Sequence, residues 1–498
     1  MKLLNYSWLL FLIYASLHAS VHQRPYIEFE KLHPDELYFP SSFLFGFAIA
    51  EQQNSGAENC PDSNWSDWEK QTAPNGEPRI KKGQKSGKAC DHWNLYKTDI
   101  TLMKEDFNAN SFRFSVAWDR IEPQEGQFDA NALAHYSDEV DELIKAGIVP
   151  MITLHHFSHP MWFEEKGAFE KEENITYFVR FSKKVFEALG DRIPLWCTIN
   201  EPTIYMFQGY LPLNCVFPPA KTSGLSSWEL ASRVLRNMMQ AHTEVYQALK
   251  KMPHGNKAQI GLVHQYLKFD PWSFFNPLER IPGFLLNKLL VDRVIEFLKT
   301  GTFCHGGLYY TETYSAPLDP NKAAAPQISD FVGLNYYSRV LIKMVPTLKV
   351  LDSRPDHGEV MTDMPYAIYA EGLYKALHHV ATIGLPIYIT ENGIADKLTS
   401  QDKRRVQWIT QYLKAVSLAL EDGLDIRGYY YWTLVDNFEW DMGWDSCFGL
   451  YSLDRPSQKR TLKEGAKAYA SIIKRSRAGK LENPTSDRVL GRLPSIVN

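Results

Sequence analysis

From about residue 40 the chain alternates two hydrophobic rhythms. Short apolar runs rich in Val, Ile, Phe or Tyr, bounded by turn or polar residues, recur at Phe43–Ile49, Ser111–Val116, Val149–Leu154, Leu195–Asn200, Gln259–His264, Phe331–Asn335, Pro386–Thr390 and Gly428–Trp432. Each predicts a β-strand. Between them lie longer stretches whose apolar residues fall on one helical face. Asn131–Ala146 carries Leu133, Val140, Leu143 and Ile144; Tyr177–Leu189 carries Phe178, Phe181, Val185, Phe186 and Leu189, and Gly190 stops it. Strands alternating with helices in this way predict an α/β fold, a (β/α)₈ barrel (TIM barrel) in a single domain. A doubly wound sheet is disfavoured, because Phe45-Gly46-Phe47-Ala48 lacks the glycine spacing of a phosphate loop. The catalytic domain is expected over residues 38–475, longer than a usual barrel of about 250 residues, so the βα-loops must carry long insertions. The obvious ones are Asn54–Lys88, Pro212–Ser227 and Pro271–Pro326.

Composition narrows the partners. The 498 residues are 44% hydrophobic and 22% charged with a net charge of −4, which gives no electrostatic case for nucleic acid. Residues 1–20 hold the apolar run Trp8–Ala15, shorter than the ~20 residues of a membrane span. The run is read as a signal peptide core, and export to a secreted or periplasmic location as the expectation; a cytoplasmic or membrane-anchored chain is the alternative. Residues 476–498 read as a loosely held extension. Cys197 and Cys304 sit in or beside apolar stretches and are expected as buried thiols, whereas Cys60 and Cys90 bracket a polar loop and could pair in an oxidising compartment. Asn64-Trp65-Ser66 and Asn174-Ile175-Thr176 have the form of N-glycosylation sites.

In a barrel of this kind, reactive groups come from the C-terminal strand ends. Several ends here are unusually polar. The fourth strand closes in Thr198-Ile199-Asn200-Glu201-Pro202 and the seventh in Ile389-Thr390-Glu391-Asn392-Gly393. A Glu after an apolar strand is costly to bury unless it has partners or a role. Two of them at one barrel mouth suggest acid, base or nucleophile chemistry. These two segments resemble the acid/base and nucleophile motifs of glycoside hydrolase family 1. The resemblance runs from about Phe39 to Ser471. It includes Phe43-Leu44-Phe45-Gly46 with Gln53, Phe112–Trp118, Thr153-Leu154-His155-His156, Asp330–Tyr337 and Asp436-Asn437-Phe438-Glu439-Trp440.

The resemblance implies a retaining exo-β-glycosidase of β-glucosidase type, with Glu201 as general acid and then base and Glu391 as nucleophile. Their carboxyl groups would stand about 5–5.5 Å apart. It further implies that Arg113, Tyr337 and Asn335 support the nucleophile. Gln53, His156, Asn200, Trp432, Glu439 and Trp440 would bind the sugar. The partner expected is a small-molecule β-glycoside or oligosaccharide, with no cofactor and no metal. His155 and His159 are read as loop or packing residues, since no thiolate or second ligand set accompanies them. Trp65 and Trp118 are left open between core and aglycone wall.

Some positions depart from the family pattern. Phe157 stands where a Trp is usual and is followed by Ser158-His159. Ser55 replaces a Glu, Asp119 a Pro, and Cys447 a basic residue. The 6-phospho-glycosidases of the family carry a Ser, a Lys and a Tyr near Gly443–Phe448. This chain offers Asp445 there, expected to repel a phosphate, so a neutral sugar is favoured. A non-catalytic carbohydrate-binding relative is disfavoured because both Glu residues are kept, and a myrosinase-like role because Glu201 is not Gln.

Overall fold

The computed structural model describes residues 37–479 except 212–214, 223–224, 308–309, 345–347, 352–358, 365 and 398–401. The apolar run within residues 1–20 and nearly all of the 476–498 extension lie outside the described residues.

Eight parallel strands close into a barrel in sequence order, the first pairing with the last. They are β1 (Leu44–Ala48), β2 (Ser111–Ser115), β3 (Val149–His155), β4 (Leu195–Asn200), β5 (Gln259–Gln265), β6 (Phe331–Asn335), β7 (Ile387–Asn392) and β8 (Ile426–Trp432). Both faces of such strands are covered, which is why they read as continuous apolar runs. The helices that follow them in turn are α1 (His92–Glu105), α2 (Ala130–Lys145), α3 (Ile175–Leu189), α4 (Leu225–Lys250), α5 (Arg293–Thr300), α6 (Ala370–Ala381), α7 (Lys403–Glu421) and α8 (Ala466–Arg477). In α3 the residues at helical spacing, Phe178, Phe181, Val185, Phe186 and Leu189, are the buried ones.

Two of the irregularities in the barrel strands bear on the site. Between Cys197 and Asn200, β4 advances three residues while β5 advances two, from Gly261 to Val263. Between Ile389 and Glu391, β7 advances two residues while β6 advances one. A β-bulge of this kind re-aims the side chains beyond it. Each bulge therefore lies just ahead of a polar strand end, Asn200-Glu201 on β4 and Glu391-Asn392 on β7. Gly393 then passes so close to β8 that a Cβ would meet the Trp432 carbonyl oxygen at 1.8 Å.

The long loops fold into their own structure. Residues 268–271, 339–344 and 348–351 form a three-stranded sheet beside the barrel mouth. It was not foreseen, because Lys268-Phe269-Asp270-Pro271 is four residues long and ends in Pro. The Pro271–Pro326 insertion holds the helix Pro277–Asn287, a π-helical turn at Lys288–Asp292, α5, and the hairpin Thr302–Gly306/Thr311–Ser315.

Three expectations are corrected. Asn64 and Asn174 are buried, and their amides donate to Phe157 O (3.0 Å) and to Lys166 O and Ala168 O (3.1 and 2.9 Å). Neither is presented for glycosylation; each braces a loop. Cys60 and Cys90 are free thiols, Cys90 being held by Asn54 on both its donor and acceptor sides. Cys197 is buried, but Cys304 is only half-buried in the hairpin.

Gly393→Ala is expected to destabilise the protein by about 1–3 kcal/mol or more, because the added methyl collides with backbone that cannot yield. Urea unfolding of the variant against wild type checks this.

Candidate active site

The site is assembled around Arg113 on β2, which is fully buried. Its Nη1 donates to Glu391 Oε1 (2.6 Å) and to Thr390 O (3.2 Å), its Nη2 to Asn200 Oδ1 (2.6 Å), and its Nε to Thr153 Oγ1 (3.0 Å). One guanidinium thus ties strands β2, β3, β4 and β7. Tyr337 donates to the other oxygen of Glu391 at 2.8 Å. Asn335, expected beside Glu391, instead donates to Glu201 Oε1 (2.6 Å) and Asn200 Oδ1 (3.2 Å). Its link to β7 is its side-chain oxygen Oδ1, which accepts from Thr390 Oγ1 at 2.7 Å. The bulge in β7 pairs Asn335 with Glu391 along the backbone, and the Asn335 side chain spans from Thr390 on β7 to Asn200 and Glu201 at the end of β4.

Glu201 caps the helix Pro202–Tyr210 in the left-handed region (φ 45°), with Pro202 in the first turn. A non-glycine residue there costs on the order of 1–3 kcal/mol and persists only where its surroundings fix it. Phe157 (φ 64°) and Trp440 (φ 44°), both lining the same cavity, are also left-handed. Among the described residues no cation forms an ion pair with Glu201. Burial, and then the neighbouring Glu391 charge, push its carboxyl well above the usual range, against the Asn335 hydrogen bond and Arg113. His156 lies 3.0 Å from the Asn200 amide through Nε2. Burial, then Arg113, hold this imidazole well below its ordinary range, so Nε2 is the acceptor.

The β8 loop closes the other side. Phe438 N donates to Gln53 O (3.1 Å) and Asn437 Nδ2 to Asn54 Oδ1 (3.3 Å), which sets Gln53 Nε2 on Glu439 Oε2 at 3.0 Å. Burial, then the Glu391 charge, raise the Glu439 carboxyl to about 8. Trp440 packs on Trp65 at 4.5 Å, and Trp432 faces His156 at 5.9 Å. Trp65 therefore braces the site from behind. Trp118 is core, stacked on Phe181 at 4.7 Å. His155 and His159 form a buried chain to Glu164 (3.2 and 2.8 Å), directed away from the carboxylates.

His156, Asn200, Glu201, Tyr337, Glu391, Trp432, Glu439 and Trp440 line one cavity of about 460 Å³. Glycosyl hydrolase family 1, as a sequence family, matches residues 36–478. The chain belongs to glycosyl hydrolase family 1. It is 31% identical over 459 residues to a 1,4-beta-D-glucan glucohydrolase of Thermotoga neapolitana, covering 88% of this chain and 98% of that protein. A β-glycosidase from Pyrococcus horikoshii superposes with a TM-score of 0.75 at 32% identity, covering 93% and 99% of the two chains. A β-glucosidase from Thermotoga maritima in complex with glucoimidazole gives 0.75 at 26%, covering 88% and 99%.

This family 1 glycoside hydrolase has site residues that sequence reasoning missed. Gln265 ends β5 and, in the amide orientation that satisfies both its ends, donates to Glu201 Oε1 (3.1 Å) and Asn335 O (2.8 Å). The signal was present: β5 runs one residue beyond His264 and closes on a polar side chain, as β4, β6 and β7 do. Thr153 and Thr390 were hidden inside apolar strands. The apolar outer wall includes Ile204 and Phe207 from the helix Pro202–Tyr210 and Phe217 and Leu267 from loops. Asp445 is also corrected as a bare negative charge: Lys82, Lys81 and Lys397 approach it at 2.9, 3.2 and 3.7 Å.

Glu439 predicts a pH signature. Its carboxyl goes from 4.5 unfolded to about 8 folded, so between these values the folded state holds a proton that the unfolded chain releases. Stability therefore falls as pH rises through that window and levels off above it. Glu439→Gln is expected to remove this slope and to melt progressively higher than wild type as pH increases from 4.5 to about 8. Thermal unfolding of both proteins across that range checks it.

Proposed function

We propose that this hydrolase is a retaining exo-β-glycosidase of β-glucosidase type, with Glu201 as acid/base and Glu391 as nucleophile. The observation that carries the reading is the asymmetry of the two carboxylates in one cavity. Glu391 meets Arg113 at 2.6 Å and Tyr337 at 2.8 Å, whereas Glu201 is met by amides and pushed toward its protonated form. Paired groups whose environments differ in this way divide into acid and nucleophile.

In the first step the Glu391 carboxylate attacks the anomeric carbon while the Glu201 proton passes to the leaving oxygen. The glycosidic bond breaks and an ester to Glu391 forms. In the second step Glu201, now a carboxylate, takes a proton from water as that water displaces Glu391. Two inversions give net retention. Asn200, bonded to Arg113 and His156, faces the 2-hydroxyl, where a hydrogen bond that tightens at the transition state speeds the reaction. Gln53 Oε1 and His156 Nδ1 are buried and have no partner among the described residues. They are the free positions at which sugar hydroxyls would be satisfied, with Glu439 and Trp440 beside them and Trp432 as the platform.

Relatives named as a glucan glucohydrolase and β-glucosidases, one of them holding glucoimidazole, support a gluco-configured terminal sugar. An unphosphorylated sugar is supported by the cavity lining, in which Arg339 is the one cation among the described residues. That guanidinium is already matched by Glu359 (2.6 Å) and Asp270 (3.4 Å).

Glu391→Gln is expected to abolish turnover of aryl β-glucosides. Glu201→Ala should lose about 10²–10⁴-fold on poor leaving groups and much less on activated ones, and with azide it should release a β-glycosyl azide. Equal losses on all leaving groups, or an α-azide, would remove the assigned roles. A 6-phospho-β-glucoside cleaved faster than its parent would overturn the unphosphorylated substrate.

A further inference from the structure

The helix Pro277–Asn287, beside the cavity mouth, is packed inside out. Glu279 is buried and accepts from Ser273 N (2.7 Å) and Met344 N (3.0 Å). Gly283 lies against the Phe269 carbonyl, which a Cβ would approach to 3.3 Å. Asn287 clamps the Phe269 peptide, accepting from its N–H at 2.9 Å and donating to its carbonyl at 2.7 Å. The helix therefore spends its polar face on the protein. Its other face, Leu278, Ile281, Phe284 and Leu285 at helical spacing, stands 45–59% exposed. Phe274 and Phe275, in the turn before it, are 63% and 89% exposed. An ordinary surface helix does the reverse. Six of the ten exposed large apolar side chains among the described residues fall in these twelve positions, so the exposure is a patch and not scatter.

Two further observations say what covers it. The charged residues from Pro271 to Val291 are Glu279, Arg280 and Lys288. With Glu279 buried, Arg280 is the cation that faces solvent beside the rings, 4.8 Å over Phe274; Lys288, 5.9 Å over Phe284, is paired with Asp292 at 2.7 Å and lies 3.9 Å from Glu296. Lys343 adds a second cation, over Trp272 at 4.1 Å. An apolar face rimmed by aromatic rings and cations is the pattern of a helix lying in the plane of an anionic lipid surface. Second, the patch is continuous with the cavity. Leu286 of the same helix, and Phe269 and Val340 of the strands beneath it, line the outer wall that leads inward to Glu201. A protein seated on this face would crowd that mouth, whereas a lipid surface would feed it.

We propose that Trp272–Lys288 is a lipid-docking element and that the substrate class includes β-glycosides of long-chain alcohols presented in a lipid surface. This rests on the glycosidase reading above. Water cleaves the anomeric C–O bond, the sugar leaves free, and the lipid alcohol departs with the proton supplied by Glu201.

The experiment uses the full chain and Phe275→Ser/Ile281→Ser, whose two side chains lie outside the cavity lining. Both proteins are sedimented with phosphatidylcholine vesicles, with and without phosphatidylserine. Both are assayed on a soluble aryl β-glucoside and on a long-chain alkyl β-glucoside held in the vesicles. Wild type is expected to sediment, more with phosphatidylserine. The variant should lose binding and turnover of the vesicle-held glucoside by about tenfold or more, with unchanged turnover of the aryl glucoside. The paired comparison is decisive because the apolar run Trp8–Ala15 is common to both proteins. Equal sedimentation of the two proteins, or none by wild type, overturns the proposal. So does a wild-type dimer that becomes monomeric in the variant without vesicle binding. Absence of aryl glucoside hydrolysis by wild type would instead sink the glycosidase reading itself.

Discussion

A single buried guanidinium organises this molecule. Arg113 stands inside the barrel with no solvent exposure, and a cation in that position is tolerable only where an anion and oriented oxygens face its donors. Glu391, Asn200, Thr153 and the Thr390 carbonyl meet them. The dependence runs both ways. Glu391 is buried and needs the cation, Asn200 needs its oxygen held so that its amide can face His156, and Asn335 reaches Glu201 from the same Asn200 oxygen. Removing one member of such a set leaves an unpaired buried charge, which typically costs about 3–5 kcal/mol. The strands that close the barrel are therefore tied through the site as well as through their ladders.

Backbone irregularity puts the partners within reach. Regular β4 and β7 would alternate their side chains strictly in and out. The bulges at Cys197–Asn200 and Ile389–Glu391 break that alternation where the carboxylates are delivered. The left-handed turns at Phe157, Glu201 and Trp440 do the same for the loops. Backbone held this way around the cavity suits a preorganised site, since flexible side chains would have to be ordered anew at each turnover.

Around this polar centre the loops build a graded mouth. The inner wall is aromatic and hydrogen-bonding, the outer wall is apolar, and the rim ends in the inverted helix Pro277–Asn287. The same insertion that narrows the cavity thus also sets what surface surrounds it. Asp445, paired with Lys81 and Lys82 from one loop and Lys397 from another, is not a bare negative charge.

The period of the hydrophobic pattern determined the barrel, because parallel strands covered on both faces must be apolar runs separated by amphipathic helices, and that requirement is local. The polar strand ends were legible for the same reason: Glu201, Asn335 and Glu391 interrupt apolar runs where only a functional or paired group is affordable. What tertiary structure alone decided was direction and partnership. Asn335 serves Glu201 rather than Glu391, its side chain spanning from Thr390 on β7 to the end of β4. Asn64 and Asn174 match a surface motif yet are buried braces, and Asp445 is matched by lysines from the loops before β2 and after β7. Gln265 and the inverted helix were in the sequence but had no meaning until their neighbours were in place. A side chain's burial follows from its own chemistry, whereas what it touches is fixed by segments hundreds of residues away.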